Sequence, residues 1–352
     1  RNSGITIQSA NYVTISGITV AYSILENINV GTSTSNNTLE RITSLGSYKG
    51  VQLNCNMCTL KQSNFQGALA YGAVSDGYRV TISDNTFNNV GNVGITPEVT
   101  PLTLIISGNK GVIRNNKLTN SGYIGIAFDG SNHLIQGNRV DNYCLKLGDC
   151  GGIYTWALDE NNTDGGTIID SNVISNAFVV LDGLPPLDNA PWMKEQGEGI
   201  YLDDRRHHIT VTNNTVYNVS KGIFIHNGHN NVIRGNTVFN ARQIAFAIQQ
   251  DWVSAGYVRD NIVEDNFFHA LEVPVAYYNY SEDRFDFGVY NNNRFCEAEP
   301  DNAVQLYTTA SPKTTYHLEK WQKKSGQDTD STVLSENCRK KVGSYVTSLK
   351  AL

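Results

Sequence analysis

The fold is decided by a short segment, Val112-Ile113-Arg114-Asn115-Asn116-Lys117-Leu118, whose pattern recurs along most of the chain. The pattern is two aliphatic residues, two polar residues, an Asn, one variable residue and another aliphatic residue. The shortest interval between equivalent asparagines is 22 residues, as between Asn116 and Asn138. Further copies occupy residues 134–140, 168–174, 211–216, 232–238 and 258–263, and an earlier copy ends at 85–87.

This period predicts stacked coils of strands. A repeat of about 22 residues is too short for paired helices, and β-branched residues alternating with Asn and Gly indicate strands and turns. The repeat resembles the pectin-lyase-like right-handed parallel β-helix over roughly residues 4 to 295. We therefore predict an all-β solenoid at 1–295 and a C-terminal capping segment at 296–352. In such a solenoid the aliphatic side chains stack inward, and the asparagines form a ladder of about 4.8 Å per rung.

Composition excludes two classes of partner. The 352 residues are 40% hydrophobic and carry a net charge of −6, with a sequence pI near 5.7. This acidic balance disfavours nucleic acid, and no apolar run approaches the roughly 18 residues of a membrane span. The first strands are already in register with no cap before them. We therefore expect a missing N-terminal region or a partner chain to cover that end.

The six cysteines lie in three groups of near neighbours. They predict the disulfides Cys55–Cys58, Cys144–Cys150 and Cys296–Cys338, which favour a secreted, periplasmic or cell-surface location. The competing interpretation of Cys55 and Cys58 is a zinc or redox motif. No second Cys pair or His pair stands at ligand spacing to support it.

A second repeated element, exemplified by Gly199-Ile200-Tyr201-Leu202-Asp203, predicts the working face. Because side chains alternate along a strand, its third and fifth residues point outward. One outward column reads Thr96, Ala127, Tyr154, Tyr201, Phe224 and Ala247, and the other reads Glu98, Asp129, Trp156, Asp203, His226 and Gln249.

Aromatic faces beside carboxylates and a histidine are typical of a sugar-binding groove. We therefore predict a polysaccharide or oligosaccharide as the partner, while any single outward residue has a purely structural interpretation as well. A long loop between the strands at Gly152 and Gly199 is expected to wall the groove. The predicted substrate-binding residues are Tyr154, Trp156, Tyr201, Phe224, Arg205, Gln249 and the loop residue Trp192.

These segments also resemble secreted β-helix proteins grouped with glycoside hydrolases. Polygalacturonase-type members use an Asp-Asp pair, a Gly-His-Gly and an Arg-Ile-Lys. Asp203-Asp204 matches the first of these, whereas residues 227–230 (Asn-Gly-His-Asn) and 233–235 (Ile-Arg-Gly) depart from the other two. The resemblance implies a glycoside hydrolase, and the departures leave its substrate open.

Glycoside hydrolysis requires a carboxylic acid that protonates the leaving oxygen and a carboxylate that acts as base or nucleophile. Asp203 is the leading candidate because Tyr201 precedes it, Asp204 follows it and His226 stands on the next rung. Its partner is expected to be Asp204 or Asp129, and Asp251 is a second-tier candidate. The predicted catalytic residues are Asp203, Asp204, Asp129, His226 and, in reserve, Glu198.

Two other functions stay open from the sequence. A polysaccharide lyase or uronate C5-epimerase would use Tyr201, Arg205, Arg206 and His226 to neutralise a substrate carboxylate and move the C5 proton. A noncatalytic glycan-binding β-helix is the third. No cofactor is required and no metal site is predicted, although the oxygen ligands of this face leave calcium open.

Overall fold

The computed structural model describes residues 3–92, 100–157, 165–177, 196–255, 257–296 and 302–334, together with 338, 340, 343 and 344. These residues form two compact units. The first unit comprises Arg1–Thr155 and Asn162–Gly197, and the second comprises Trp156–Asn161 and Glu198–Leu352.

The first unit contains three parallel sheets, each taking one strand from every coil. The strands of its first sheet are Ile5–Ile7, Glu26–Val30, Lys49–Leu53, Tyr71–Ser75, Leu102–Ile106, Ile124–Phe128 and Gly151–Thr155. Those of the second sheet are Thr14–Ser16, Thr38–Glu40, Thr59–Lys61, Thr81–Ser83, Val112–Arg114, Leu134–Gln136 and Ile168–Asp170. Those of the third sheet are Thr19–Ala21, Thr43–Leu45, Asn64–Gln66, Thr86–Val90, Lys117–Ser121, Arg139–Tyr143 and Val173–Ala177.

The second unit repeats this arrangement. The strands of its first sheet are Glu198–Leu202, Lys221–His226, Ile244–Gln250, Val273–Asn279, Val304–Thr308 and the antiparallel Ser311–Tyr316. Those of the second sheet are Thr210–Thr212, Val232–Arg234, Asn261–Glu264 and Gly288–Asn291. Those of the third sheet are Thr215–Tyr217, Thr237–Ala241, Phe267–Ala270, Arg294–Cys296 and Thr332–Val333. A 3₁₀ helix spans Val253–Ala255, and an α-helix spans Leu318–Ser325.

The strands are paired so that equivalent residues of successive coils stand side by side. Ile200 pairs with Ile223 and Tyr201 with Phe224, as the repeat predicts. The inward aliphatic side chains are fully buried and fill the interior of the coils. Glycine is required near the start of these strands because the backbone of the next coil approaches closely. A Cβ atom at Gly222 would lie 2.4 Å from the carbonyl oxygen of Ala245. The predicted all-β parallel β-helix is confirmed.

The predicted asparagine ladder is also confirmed. In the first unit the side-chain Nδ2 of Asn116 donates to Oδ1 of Asn138 at 3.0 Å, and Asn138 donates in the same way to Asn172. In the second unit the series Asn214, Asn236, Asn266 and Asn293 repeats this contact. The residue before each ladder Asn has a positive φ, for example 54° at Asn115. This left-handed turn points the following amide into the interior.

All three predicted disulfides are present in the structure. After Cys296, strand Val304–Thr308 still pairs in parallel with Val273–Asn279. The helix Leu318–Ser325 buries Trp321, whose Nε1 donates to Asp328 at 2.9 Å. The predicted boundary between 295 and 296 stays a prediction. In the part of the chain that the structure describes, no helix is long and apolar enough to cross a membrane.

The ladder predicts a large stability loss for a small substitution. Asn116→Ala removes donors to Asn138 and Ile82 and the acceptor of Asn85 inside a buried turn. Buried polar groups left without partners should lower the free energy of unfolding by about 3 kcal/mol. Urea unfolding of this variant is compared with Asn64→Ala, whose side chain is exposed in a strand of the same unit. Equal unfolding midpoints for the two variants would contradict a stabilising ladder.

Candidate active site

The centre of the candidate site is His226, held between two carboxylates at the outer face of the second unit. Its Nδ1 lies 2.7 Å from Oδ1 of Asp203, and its Nε2 lies 2.8 Å from Oδ2 of Asp251. His226 ends strand Lys221–His226, Asp203 follows Glu198–Leu202, and Asp251 follows Ile244–Gln250. Three successive coils therefore each contribute one group, and their register brings the three together.

Asn227 and Gln249 fix the carboxylates in place. Asn227 donates from Nδ2 to Oδ1 of Asp204 at 2.7 Å, and its Oδ1 accepts the backbone N–H of Asp251 at 2.9 Å. Gln249 donates to the other oxygen of Asp251 at 2.8 Å. The backbone N–H of Asp204 donates to Oδ1 of Asp203 at 2.9 Å. Asp204 is the most accessible of the three carboxylates, with 29% of its side chain exposed against 14% for Asp203 and 25% for Asp251.

His226 carries a proton on both nitrogens, because each nitrogen faces a carboxylate oxygen that accepts. Burial by itself lowers the pKa of His226, but the hydrogen bonds and charges of Asp203 and Asp251 raise it to about 9. Burial opposes ionisation of Asp251 as well, yet the hydrogen bond from His226 holds the pKa of that carboxyl below its usual value. At neutral pH His226 is therefore an imidazolium, and Asp203, His226 and Asp251 together are called the triad below.

Aromatic rings support the triad from beneath and beside it. Tyr201 and Phe224 stack with ring centroids 4.8 Å apart, and Phe224 stacks on the His226 ring at 5.6 Å. Trp252 meets His226 edge to face at 6.1 Å. Tyr201 and Phe224 are only 4% exposed, whereas Trp252 is 49% exposed. Trp252 therefore offers the accessible aromatic face here, and the predicted role of Tyr201 and Phe224 in substrate binding stays a prediction.

The two arginines after Asp204 differ in position. Arg206 is fully buried, and its guanidinium donates to the carbonyl oxygen of Trp156. Arg205 is half-buried, and its guanidinium nitrogens lie 3.5 Å from the carbonyl oxygens of Ala157 and Ser254. Trp156, a predicted substrate-binding residue, is 46% exposed. Arg205 is thus the cation nearest in sequence to the triad that retains access to solvent.

Other predicted residues occupy different places. Glu198 is 1% exposed and pairs with Lys221 at 3.2 Å, while Lys221 also lies 4.2 Å from the centroid of the Phe224 ring. Asp129 and Tyr154 belong to the first unit, where Asp129 accepts the backbone N–H of Gly130 at 2.8 Å. Trp192, like Glu98 and Thr96, lies outside the described residues. The role of each in the reaction stays a prediction.

The sequence made Asp251 a second-tier candidate and gave no role in the site to Asn227 or Trp252, both of which the structure places against the triad. Asp251 lies two residues beyond Gln249 and continues the same alternation, but it falls outside the five-residue element from which the outward columns were read. The signal was the long strand Ile244–Gln250 in the coil directly after His226. Because this strand has seven residues, Asp251 follows directly after it and lies within hydrogen-bond distance of the imidazole.

The carboxylates and the imidazole also resemble a cation site. One ligand atom each from Asp203, Asp204 and His226 lies within 4.8 Å of the others. Nδ1 of His226 faces both aspartates, at 2.7 Å from Asp203 and 3.6 Å from Asp204, and a pKa of about 9 keeps His226 protonated. A cation must therefore displace a strongly held proton, and Ca²⁺ prefers oxygen ligands to imidazole.

The chain belongs to the right-handed β-helix family. The family model described as "Right handed beta helix region" matches residues 102–316. A search of curated protein sequences gives no significant match.

Solved structures with a similar chain path include two epimerases and a lyase. A mutant of the periplasmic alginate epimerase AlgG is 12% identical, with 94% of this chain and 78% of that chain covered and a TM-score of 0.44. A PL6 alginate lyase in complex with a trisaccharide is 15% identical, with 84% and 75% covered and a TM-score of 0.43. The A-module of the Azotobacter vinelandii mannuronan C-5 epimerase AlgE4 is 12% identical, with 92% and 88% covered and a TM-score of 0.42.

The triad predicts an unusual titration. The folded pKa of His226, about 9, lies above the ordinary value of 6.5, so the charged triad contributes its full stability below pH 6.5 and loses it as the pH rises through 9. The loss in the free energy of unfolding should be on the order of 3 kcal/mol. Urea unfolding at pH 6, 8 and 10 measures it, with His226→Gln as the variant that lacks this titration. An NMR titration of the His226 ring with a midpoint near 6.5 would contradict the triad.

Proposed function

We propose that the protein is a glycoside hydrolase whose reacting groups are the carboxylates around His226. The observation that carries the proposal is the placement of Asp203 and Asp251 on opposite nitrogens of one imidazole ring. Hydrolysis of a glycosidic bond requires two carboxyl groups at a fixed separation. The exposed ring of Trp252 offers a surface for a sugar beside them.

The separation supports the inverting reaction. Ring geometry places the two oxygens that accept from His226 about 7 Å apart, within the range of roughly 6.5 to 9.5 Å that leaves room for a water molecule. A retaining enzyme needs its carboxylates closer, at about 5 to 5.5 Å. The imidazole ring then forms the floor between the groups, and the sugar lies above it.

The proton distribution suggests a division of roles. His226 holds the pKa of Asp251 down, so Asp251 is ionised and suited to activate the water molecule. Asp203 and Asp204 are adjacent, and we assign the acid to this pair. His226, 2.7 Å from Asp203, holds the proton that this pair needs to become the acid toward the leaving oxygen. Asp251 takes one proton from the attacking water molecule, whose hydroxyl bonds to the anomeric carbon as the glycosidic bond breaks. Asp251 then releases that proton to solvent and His226 regains one from solvent, so both groups return to their starting states.

Charge and cysteine use indicate the substrate and the location. Three carboxylates face one imidazolium, so the cleavage point carries excess negative charge that would repel a uronate and suits a neutral sugar. The disulfides favour an oxidising compartment. We therefore propose a secreted or periplasmic enzyme that cleaves a neutral polysaccharide or complex glycan.

A polysaccharide lyase or uronate C5-epimerase is the second candidate, and Arg205 favours it. Its half-buried guanidinium follows Asp204 directly and is a cation able to neutralise a substrate carboxylate. In that reaction a side chain removes the C5 proton of a uronate. The protonated state of His226 disfavours this residue as the base below pH 9.

Substituting the triad carboxylates tests the proposal. Asp203→Asn and Asp251→Asn should each lower kcat by about a thousandfold or more, because each removes a group that acts in proton transfer. Asp260→Asn is the matched control, since that carboxylate is 62% exposed and lies on a different sheet edge. New reducing ends and absorbance of unsaturated products are read together on neutral and uronate glycans, with circular dichroism to verify folding.

The outcomes separate the candidates. Hydrolysis is supported if the wild type produces new reducing ends without ultraviolet absorbance and if both triad variants fail to produce them. Unsaturated products would indicate a lyase, and a changed uronate stereochemistry without cleavage would indicate an epimerase. Either result would replace the hydrolase proposal with the second candidate. Cleavage by Asp203→Asn at the wild-type rate would remove Asp203 from the mechanism.

Chelation provides an independent check. Dialysis against EDTA should leave kcat and the melting temperature unchanged, because a proton on His226 already occupies the position that a cation would take. Activity is measured before dialysis, after it, and after adding Ca²⁺ or Zn²⁺. A loss on dialysis that Ca²⁺ restores would show that the open calcium prediction is right and that the triad is a metal site.

A further inference from the structure

Beyond the triad, the first sheet of the second unit carries a run of aromatic side chains that the catalytic proposal does not use. Strand register places His226 beside Gln249, Gln249 beside Tyr278, and Tyr278 beside Tyr307. Tyr280 follows the strand Val273–Asn279 and lies over this column. The column that supplies the imidazole of the triad therefore continues into tyrosines.

These rings form one connected surface. Tyr280 and Tyr307 stand 4.8 Å apart between centroids at an angle of 34°, and Tyr278 lies 6.0 Å from Tyr280. Tyr278 is nearly buried and donates its hydroxyl hydrogen to Gln305, so it supports the surface from below. Tyr280 is 49% exposed and Tyr307 half-buried. The tyrosine patch, defined as Tyr278, Tyr280 and Tyr307, thus exposes Tyr280 and part of Tyr307 to solvent above the buried Tyr278.

The tyrosine patch is joined to the triad by the chain itself. Ser281, next to Tyr280, donates its hydroxyl hydrogen to the carbonyl oxygen of Asp251 at 2.6 Å. The backbone N–H groups of Ser281 and Glu282 donate to Oδ1 of Asn279, which fixes the turn that carries Tyr280. Burial, together with the nearby charge of Asp251, raises the pKa of Tyr280, so its hydroxyl stays protonated and can donate to a sugar oxygen.

We propose that Trp252 and the tyrosine patch bind successive sugar rings of a neutral glycan on the C-terminal side of the triad. Three rungs of about 4.8 Å separate His226 from Tyr307, giving a path of about 14 Å that accommodates more than one ring. Aromatic faces bind the apolar C–H faces of pyranoses, and isolated exposed aromatics are common whereas a contiguous run is not. The carboxylates of Asp251, Glu272 and Glu282 outnumber the ammonium of Lys313, whose Nζ lies 5.7 Å from the centroid of the Tyr278 ring. The resulting negative balance disfavours an anionic chain.

This inference rests on the proposed function, but binding can be measured without cleavage. Native affinity electrophoresis in gels containing galactomannan, xyloglucan or polygalacturonate gives a dissociation constant from the retardation of the band. Wild-type protein, Trp252→Ala, Tyr280→Ala and Asp203→Asn are compared with Tyr12→Ala. Tyr12 is 79% exposed in the first unit and serves as the control for loss of a surface tyrosine.

We expect at least one of the two neutral gels to retard the wild type, Tyr12→Ala and Asp203→Asn alike. Trp252→Ala and Tyr280→Ala should each weaken this binding by about tenfold, the loss of one ring contact. Retention of wild-type affinity by Tyr280→Ala, retardation by polygalacturonate alone, or retardation by none of the gels would overturn the inference. An Asp203→Asn variant that binds normally yet cleaves as fast as the wild type overturns the catalytic assignment while leaving this binding surface intact.

Discussion

The hydrogen bonds of the asparagine ladder are the constraint on which the structure depends. Each ladder Asn closes a left-handed turn and donates across to the equivalent Asn of the next coil, as Asn214 does to Asn236. A slip by one residue would break that contact and turn every inward aliphatic residue outward. The ladder thereby fixes which outward residues become neighbours. His226 stands beside Gln249 and one rung from Asp203 because the buried amides behind them are in register.

On this scaffold the site is governed by the balance of charge. Three carboxylates this close together would repel one another and hold a proton among themselves, but His226 supplies the compensating charge. The charge of His226 is shared unequally among the carboxylates, because each of its two ring nitrogens donates one hydrogen bond to one carboxylate. Asp203 and Asp251 take those positions, whereas Asp204 lies 3.6 Å from Nδ1 and is bound by Asn227 instead. The imidazolium therefore distinguishes chemically identical side chains by giving them different hydrogen-bond partners.

The sequence was sufficient for the fold because the fold repeats. One alternation rule and one turn rule, applied coil after coil, predicted the strands, the ladder and the two outward columns that contain Asp203 and His226. The same rules failed where a coil departs from the average. Asp251 and Trp252 follow a strand of seven residues, Ile244–Gln250, and a count based on five-residue strands places the chain in a turn there. The protonation state of His226 could not be predicted from the sequence either. Its pKa depends on the distances to Asp203 and Asp251, and the length of the repeat does not specify them.

Stability and function are separated on this scaffold only in part. The inward aliphatic residues and the ladder contribute to folding from the interior of the coils. The triad is the exception, because its charges are largely buried and removing one partner leaves the others uncompensated. Asp204, with more exposure and no direct hydrogen bond to His226, is less subject to this coupling. A substitution at this site should therefore be tolerated best at Asp204. It would change the groups that face a substrate, while His226 would keep its hydrogen bonds to Asp203 and Asp251.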